Sequence, residues 1–162
     1  NKLAKESKAV KNANVILPPD LITNMQKEYN VEEAINKIEI TIANTHIFGN
    51  GSIELTKDGE HQVQKLLALI APYKEQIILG VQGFADSTSV LQKEDRWWKN
   101  NLELSVLRAI SVQRNLVNKG FPREQIFVAG YDTGLRRKVV DKTLKDNKLA
   151  GLRTVTFRIE KR

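Results

Sequence analysis

Two segments of the chain hold residue types whose spacing could do chemistry. Gly80-Val81-Gln82-Gly83-Phe84-Ala85-Asp86 sets a carboxylate just past the apolar run Ile77-Ile78-Leu79-Gly80-Val81. Farther on, Asn101-Leu102-Glu103-Leu104-Ser105-Val106-Leu107-Arg108-Ala109 reads as the start of a helix. Asn101, Ser105 and Arg108 are spaced by four and then three, so they share one helical stripe. That stripe is polar, and Leu102, Val106 and Ala109 are expected to form the core face. If the strand end and the helix start lie at one edge of a layered fold, Asp86 and Arg108 face one pocket. A carboxylate and a guanidinium a few ångströms apart suit a zwitterion: the acid takes an ammonium, and the planar fork takes a carboxylate through two parallel bonds. The same spacing equally allows Asp86 and Arg108 simply to pair with each other, and spacing alone does not choose.

Other chemistries find less support. His46 and His61 are far apart and lack motif partners, so no metal site is expected. There are no cysteines, which removes thiolate catalysis, disulfides and Cys-based zinc sites. Neither a P-loop nor a nucleophile elbow occurs, and no nucleophile–base pair is visible, so no enzyme and no cofactor is expected. Glu94 and Asp95 read as a solvated loop. The adjacent Trp97 and Trp98 could stack a base or sugar, or one could pack on the core while the other covers a helix end. Twenty-six basic against 19 acidic residues give a net charge of +7. The lysines are scattered with few aromatics among them, so a basic solvated surface is preferred over nucleic-acid binding.

The elements that must position these residues follow from periodicity. The 162 residues, 41% hydrophobic and 28% charged, fit one domain with a short arm. Residues 1–20 read as a linker: Lys2, Lys5, Lys8 and Lys11 recur before the Pro18-Pro19 pair. The first residue is Asn1 rather than Met, so the chain is taken as a piece of a longer protein. No apolar run approaches the roughly 18 residues of a membrane helix. Residues 21–36 read as one or two short helices with a break at 30–31. Ile38, Ile40 and Ile42 alternate with polar or small residues, giving a strand. Thr56 caps an amphipathic helix over 57–71, whose face is Val63, Leu66, Leu67 and Ile70, and Pro72 closes it. A strand at 77–81 and a loop over 84–99 follow. Asn100 and Glu103 open the second helix as a capping box, with Leu102, Val106, Ala109, Ile110, Leu116 and Val117 as its buried face. Asn118-Lys119-Gly120 ends it. Strands at 126–130 and 154–159 flank a polar loop over 132–151. The order β-α-β-α-β-β predicts an α/β sandwich (α+β in layer terms), with a mixed sheet of about four strands and helices on one face.

Residues 80–109 resemble the OmpA-like peptidoglycan-binding domain. The family's strand ends in a G-H-T-D-like turn and is followed by N-x-x-L-S-x-x-R-A on a helix. Here these read Gly83-Phe84-Ala85-Asp86 and Asn101-x-x-Leu104-Ser105-x-x-Arg108-Ala109. Ile47-Phe48, Gly51-Ser52 and Glu54-Leu55 resemble the family's F-x-x-G-S-x-E-L segment. Gly120 before Pro122, Gly130-Tyr131 and Arg153-x-Val155 fall in the family order, and the likeness spans about residues 38–160. Asn101-Leu102-Glu103-Leu104-Ser105 and the long loop before it are most similar to the periplasmic part of MotB-like stator subunits. The resemblance implies a domain over 21–162, with an N-terminal helical extension, that binds peptidoglycan without catalysis. Asp86 would bind the ammonium of the stem peptide's diamino acid and Arg108 its carboxylate. Asn101, Ser105, Leu104, Ala85 and Phe48 complete the implied set. It further implies a periplasmic homodimer, tethered to the inner membrane by a segment outside this chain and working beside a membrane-embedded channel subunit. Phe84 and Ala85 stand where the family has His-Thr, and Leu152 and Thr154 replace the Asn and second Arg of its N-R-R-V ending. The rival reading is therefore an OmpA-like fold that has lost wall binding and serves protein interaction or dimerisation.

Overall fold

The computed structural model describes residues 17–34, 37–43, 47–49, 52–84, 98–131 and 154–162. Its elements are helix α1 (Pro19–Glu28), strands β1 (Val31–Ala34) and β2 (Lys37–Ala43), helix α2 (Lys57–Ile70), a 3-10 segment (Ala71–Gln76), strand β3 (Ile77–Phe84), helix α3 (Asn101–Asn118), a 3-10 turn (Arg123–Gln125), and strands β4 (Ile126–Tyr131) and β5 (Thr154–Lys161). The five strands form one mixed sheet in the order β1-β2-β5-β3-β4. β5 is antiparallel to both β2 and β3, so those two run parallel with the last strand inserted between them. β3 and β4 are parallel, joined by α3 as their crossover. The expected α+β layering is present. The sheet has one strand more than expected, and Val31–Ala34 pairs with β2 as a hairpin instead of continuing a helix.

Alternation decides which strand face is buried. Ile38, Ile40 and Ile42 on β2, Ile77, Leu79 and Val81 on β3, and Val155, Phe157 and Ile159 on β5 all belong to the main core. Val63, Leu66, Leu67 and Ile70 of α2 and Ala109, Val112 and Leu116 of α3 meet them. Leu21 and Met25 of α1 are fully buried in the same core, and Leu17 just before it is nearly so. Pro19 occupies the first helical turn, where its missing N–H costs nothing. Lys65 then ties α1 to α2 through an ion pair with Glu28 at 2.7 Å and a position 5.7 Å over the Tyr29 ring.

Helix ends behave as their caps dictate. The Thr56 hydroxyl accepts from the Gly59 amide at 3.0 Å, and the Asn100 side chain accepts from the Glu103 amide at 2.9 Å. Glu103 reaches back to the Lys99 amide. α3 ends in a Schellman motif: Gly120 takes φ +98°, its amide bonds to the Val117 carbonyl, and the Phe121 amide bonds to that of Leu116. Among the described residues, no helix is long and apolar enough to cross a membrane.

Candidate ligand-binding site

The site is built where α3 comes down on the ends of β3 and β4. A Cβ added at Gly83 would lie 2.1 Å from the Ser105 carbonyl oxygen, and one at Gly130 would lie 2.6 Å from the Val106 amide nitrogen. The helix backbone therefore rests directly on these two glycines, closer than any side chain permits. The contact explains a correction to the sequence reading. Leu102, expected in the core, is 44% exposed, whereas Ser105 is fully buried and Arg108 is 3% exposed. The inward face of α3 is Ser105, Ala109, Val112 and Leu116. Close approach to Gly83 demands a small side chain at its start, and Ser105 supplies it.

Arg108 leaves this contact sideways, toward the loop over 47–55. Its Nε donates to the Ser52 carbonyl at 2.9 Å, and its Nη2 donates to the Gly49 carbonyl at 3.3 Å. The guanidinium carbon lies 5.1 Å over the Phe48 ring. Carbonyl dipoles and the ring face both favour the cation, which offsets part of its desolvation cost. One turn farther along, Ser111 Oγ donates to the Ile53 carbonyl. The loop is braced from its own side by a Phe48–Leu55 antiparallel bridge, by the Thr56 amide on the Ile47 carbonyl at 2.9 Å, and by the Ser52 amide on the Gly49 carbonyl at 3.0 Å.

The remaining candidates distribute around this clamp. Asn101 is half-buried in the first turn of α3. Ser105 Oγ donates back to the Leu102 carbonyl at 2.7 Å. Leu104 packs with Trp98, Ile53 and Leu107 in a small second cluster, so Trp98 serves as a packing residue. Phe48 lies beneath the guanidinium. Arg108 and Phe48 are thus brought together, whereas Ser105 and Leu104 face other partners. Asp86 and Ala85 lie outside the described residues, as do Trp97, His46, Leu152 and the loop over 132–151. Phe84 is stacked on Tyr131 at 4.9 Å with rings 12° apart, on the sheet face away from the helices. Gln82 on that face bonds the Tyr131 hydroxyl at 3.3 Å. Sequence reasoning missed Ser111; its signal is a second polar residue three positions after Arg108 on a helix. Among the described residues, no group of His, Asp and Glu could hold a metal ion.

Among the described residues the centre of the site is a buried guanidinium fixed by two loop carbonyls and the Phe48 ring. Comparison with known proteins agrees with the fold. No curated protein matches in sequence. A MotB-like protein from Desulfovibrio vulgaris superposes with a TM-score of 0.72 at 19% identity, covering 99% of this chain and 96% of that one. The periplasmic domain of Helicobacter pylori MotB gives 0.67 at 18% identity, covering 81% and 80%. The cell wall anchor of the T6SS from Pseudomonas aeruginosa gives 0.68 at 15% identity, covering 88% and 95%. At these identities the likeness is one of fold. The family signature itself matches residues 47–149, which hold the loop clamp, α3 and the strands that seat it, and the chain therefore belongs to the OmpA family.

Proposed function

We propose that this domain is a non-catalytic anchor that binds peptidoglycan by its stem peptide, in the periplasm, as part of a membrane complex of the MotB type. Arg108 takes the carboxylate of the diamino acid and Asp86 its ammonium. The observation that carries the reading is the Arg108 guanidinium, 3% exposed and held by two loop carbonyls and the Phe48 face. A cation fixed before the ligand arrives loses little side-chain entropy on binding. Covalent geometry supports Asp86 as its partner. β3 ends at Phe84 beside α3, and two further residues span about 7 Å at most. Tethering to the inner membrane, a channel subunit as neighbour and a homodimeric state belong to the same reading, through the likeness to MotB periplasmic domains.

Co-sedimentation with purified peptidoglycan sacculi tests it. Wild type should pellet, and Asp86→Ala and Arg108→Lys should stay in the supernatant while keeping the wild-type circular dichroism spectrum. Pelleting of both variants at the wild-type level refutes the site. One observation favours the rival, protein-interaction reading: Phe84, in place of the family's His, is turned onto Tyr131 on the far sheet face. That reading gains if wild type itself fails to pellet.

A further inference from the structure

The end of the domain opposite Arg108 carries an unassigned feature. β3 and β4 start there, β5 finishes there, and both α2 and α3 point their C-termini toward it. Gln125 knits that end together. Its Nε2 donates to the Ile77 carbonyl at 2.9 Å and to that of Lys74, and its Oε1 accepts from Arg162 at 3.4 Å. The Arg162 amide also bonds the Gln76 carbonyl at 2.9 Å. Lys74, Lys119, Arg123, Lys161 and Arg162 therefore share one end, all exposed, against Glu75 and Glu124. Glu75 is already engaged, at 3.8 Å, by Arg162. At the other end, the described exposed charges Lys57 and Lys99 are outnumbered by Glu54, Asp58 and Glu103. The positive charge of the described residues is polarised along the strands.

Within the basic end an open groove of about 330 Å³ lies between the ends of α2 and α3. Leu67 and Phe121, both buried, line it with Ala68 and Ala71, and Gln64, Lys74 and Lys119 are its polar residues. No carboxylate lines the groove, and neither lysine is in an ion pair among the described residues. We propose that this end docks on an anionic phospholipid surface, with a phosphate headgroup between Lys74 and Lys119 and its glycerol and upper acyl carbons against the apolar lining. Two lysines in the groove, on an end that also exposes Arg123, Lys161 and Arg162, suit a plane of headgroups better than one small ion. An apolar lining has no use for a soluble polyanion. The two ends of the domain would then serve different partners, and the inference does not depend on the wall-binding reading.

The test is flotation of the full chain with phosphatidylglycerol vesicles and with neutral phosphatidylcholine vesicles, in about 0.1 M salt. Wild type should float with the anionic vesicles only. Each lysine near such a surface is worth roughly fivefold in partition, so Lys74→Ala with Lys119→Ala should lower binding by more than about tenfold. Lys57→Ala with Lys99→Ala removes the same net charge from the other end and should change it less than about twofold. Because all four lysines are exposed, thermal melts of the two double variants should match wild type. Equal losses in both double variants would overturn the proposal, since net charge or the basic N-terminal arm would then explain binding. Equal flotation with neutral vesicles would overturn it too. So would complete competition by water-soluble glycerophosphate, which would make the groove a site for free phosphate. Sacculus pelleting of the Lys74/Lys119 variant should be unchanged, which separates this outcome from any failure of the wall-binding site.

Discussion

Replacing Gly83 with alanine tests how the site is positioned. The new Cβ would sit 2.1 Å from the Ser105 carbonyl oxygen, a backbone atom in a helix that cannot turn aside. Reaching even 3.0 Å requires roughly 0.9 Å of separation between α3 and β3. Overpacking of this kind costs about 3 kcal/mol, and for a chain of this length that lowers Tm by about 6–12 °C. The same displacement carries Arg108 away from its loop: the 3.3 Å contact to Gly49 would pass beyond hydrogen-bond range, so wall binding should fall as well. Gly80 supplies the control. Its added Cβ would meet the Phe127 ring at 2.2 Å, a nominally equal clash. That ring belongs to a side chain 37% exposed on the edge strand, free to swing outward, so Gly80→Ala should cost less than about 1 kcal/mol. Urea unfolding of both variants measures the difference. If Gly83→Ala were within about 0.5 kcal/mol of wild type, or Gly80→Ala were the worse of the two, the seating of α3 on β3 would be wrong.

Three smaller predictions follow from the same structure. Asn100→Ala removes the acceptor for the Glu103 amide and should cost about 1 kcal/mol by urea unfolding. The Tyr29 hydroxyl is buried with no hydrogen-bond partner among the described residues, and burial first, then the Glu28 charge, push its pKa up to about 12. The folded chain then holds this proton more tightly than the unfolded chain, so stability should fall as pH rises from about 10 toward 12, and Tyr29→Phe should abolish that part of the slope at no cost at neutral pH. Ser111→Ala cuts the second tie between α3 and the loop, at Ile53, and should cost about 1 kcal/mol while weakening sacculus binding only a few-fold.

Much of the fold is legible in particular residues. The isoleucines at 38, 40 and 42 name both β2 and its buried face. Thr56, Asn100 and Gly120 mark helix ends because orphan amides and carbonyls need those residue types. β1 is not legible: Val31-Glu32-Glu33-Ala34 has no apolar alternation, and pairing with β2 makes it a strand. β3 runs to Phe84, past the apolar run, because Gln82 is satisfied by Tyr131 across the sheet. Ala109 and Leu116 lie on the buried face of α3 as their spacing predicts, and Leu102 falls outside it for a related reason. Periodicity tracks apolar volume, whereas the constraint at Ser105 and Ala109 is the absence of volume, imposed by glycines that lie far away in sequence. In the candidate site, Arg108 was visible from its motif, but its carbonyl partners were not, because a backbone acceptor leaves no trace in residue type.

Those carbonyl partners change what a loss of binding at Arg108 would mean. The guanidinium braces the 47–55 loop and, in the proposed function, also faces a ligand. Arg108→Ala would therefore remove the charge, take from the Ser52 carbonyl its one donor among the described residues and from the Gly49 carbonyl one of two, and loosen the loop at once. A failure to bind sacculi would then follow from either role. Lysine keeps the charge but cannot present a planar fork to two carbonyls and a carboxylate together. Ser111→Ala loosens the same loop and leaves the guanidinium in place. If loop order alone governed binding, Ser111→Ala and Arg108→Lys would weaken it in proportion to their cost in stability. If the oriented guanidinium contacts the ligand, Arg108→Lys must lose far more binding than its stability cost accounts for. That disproportion, rather than loss of binding in itself, distinguishes a ligand-binding arginine from a structural one.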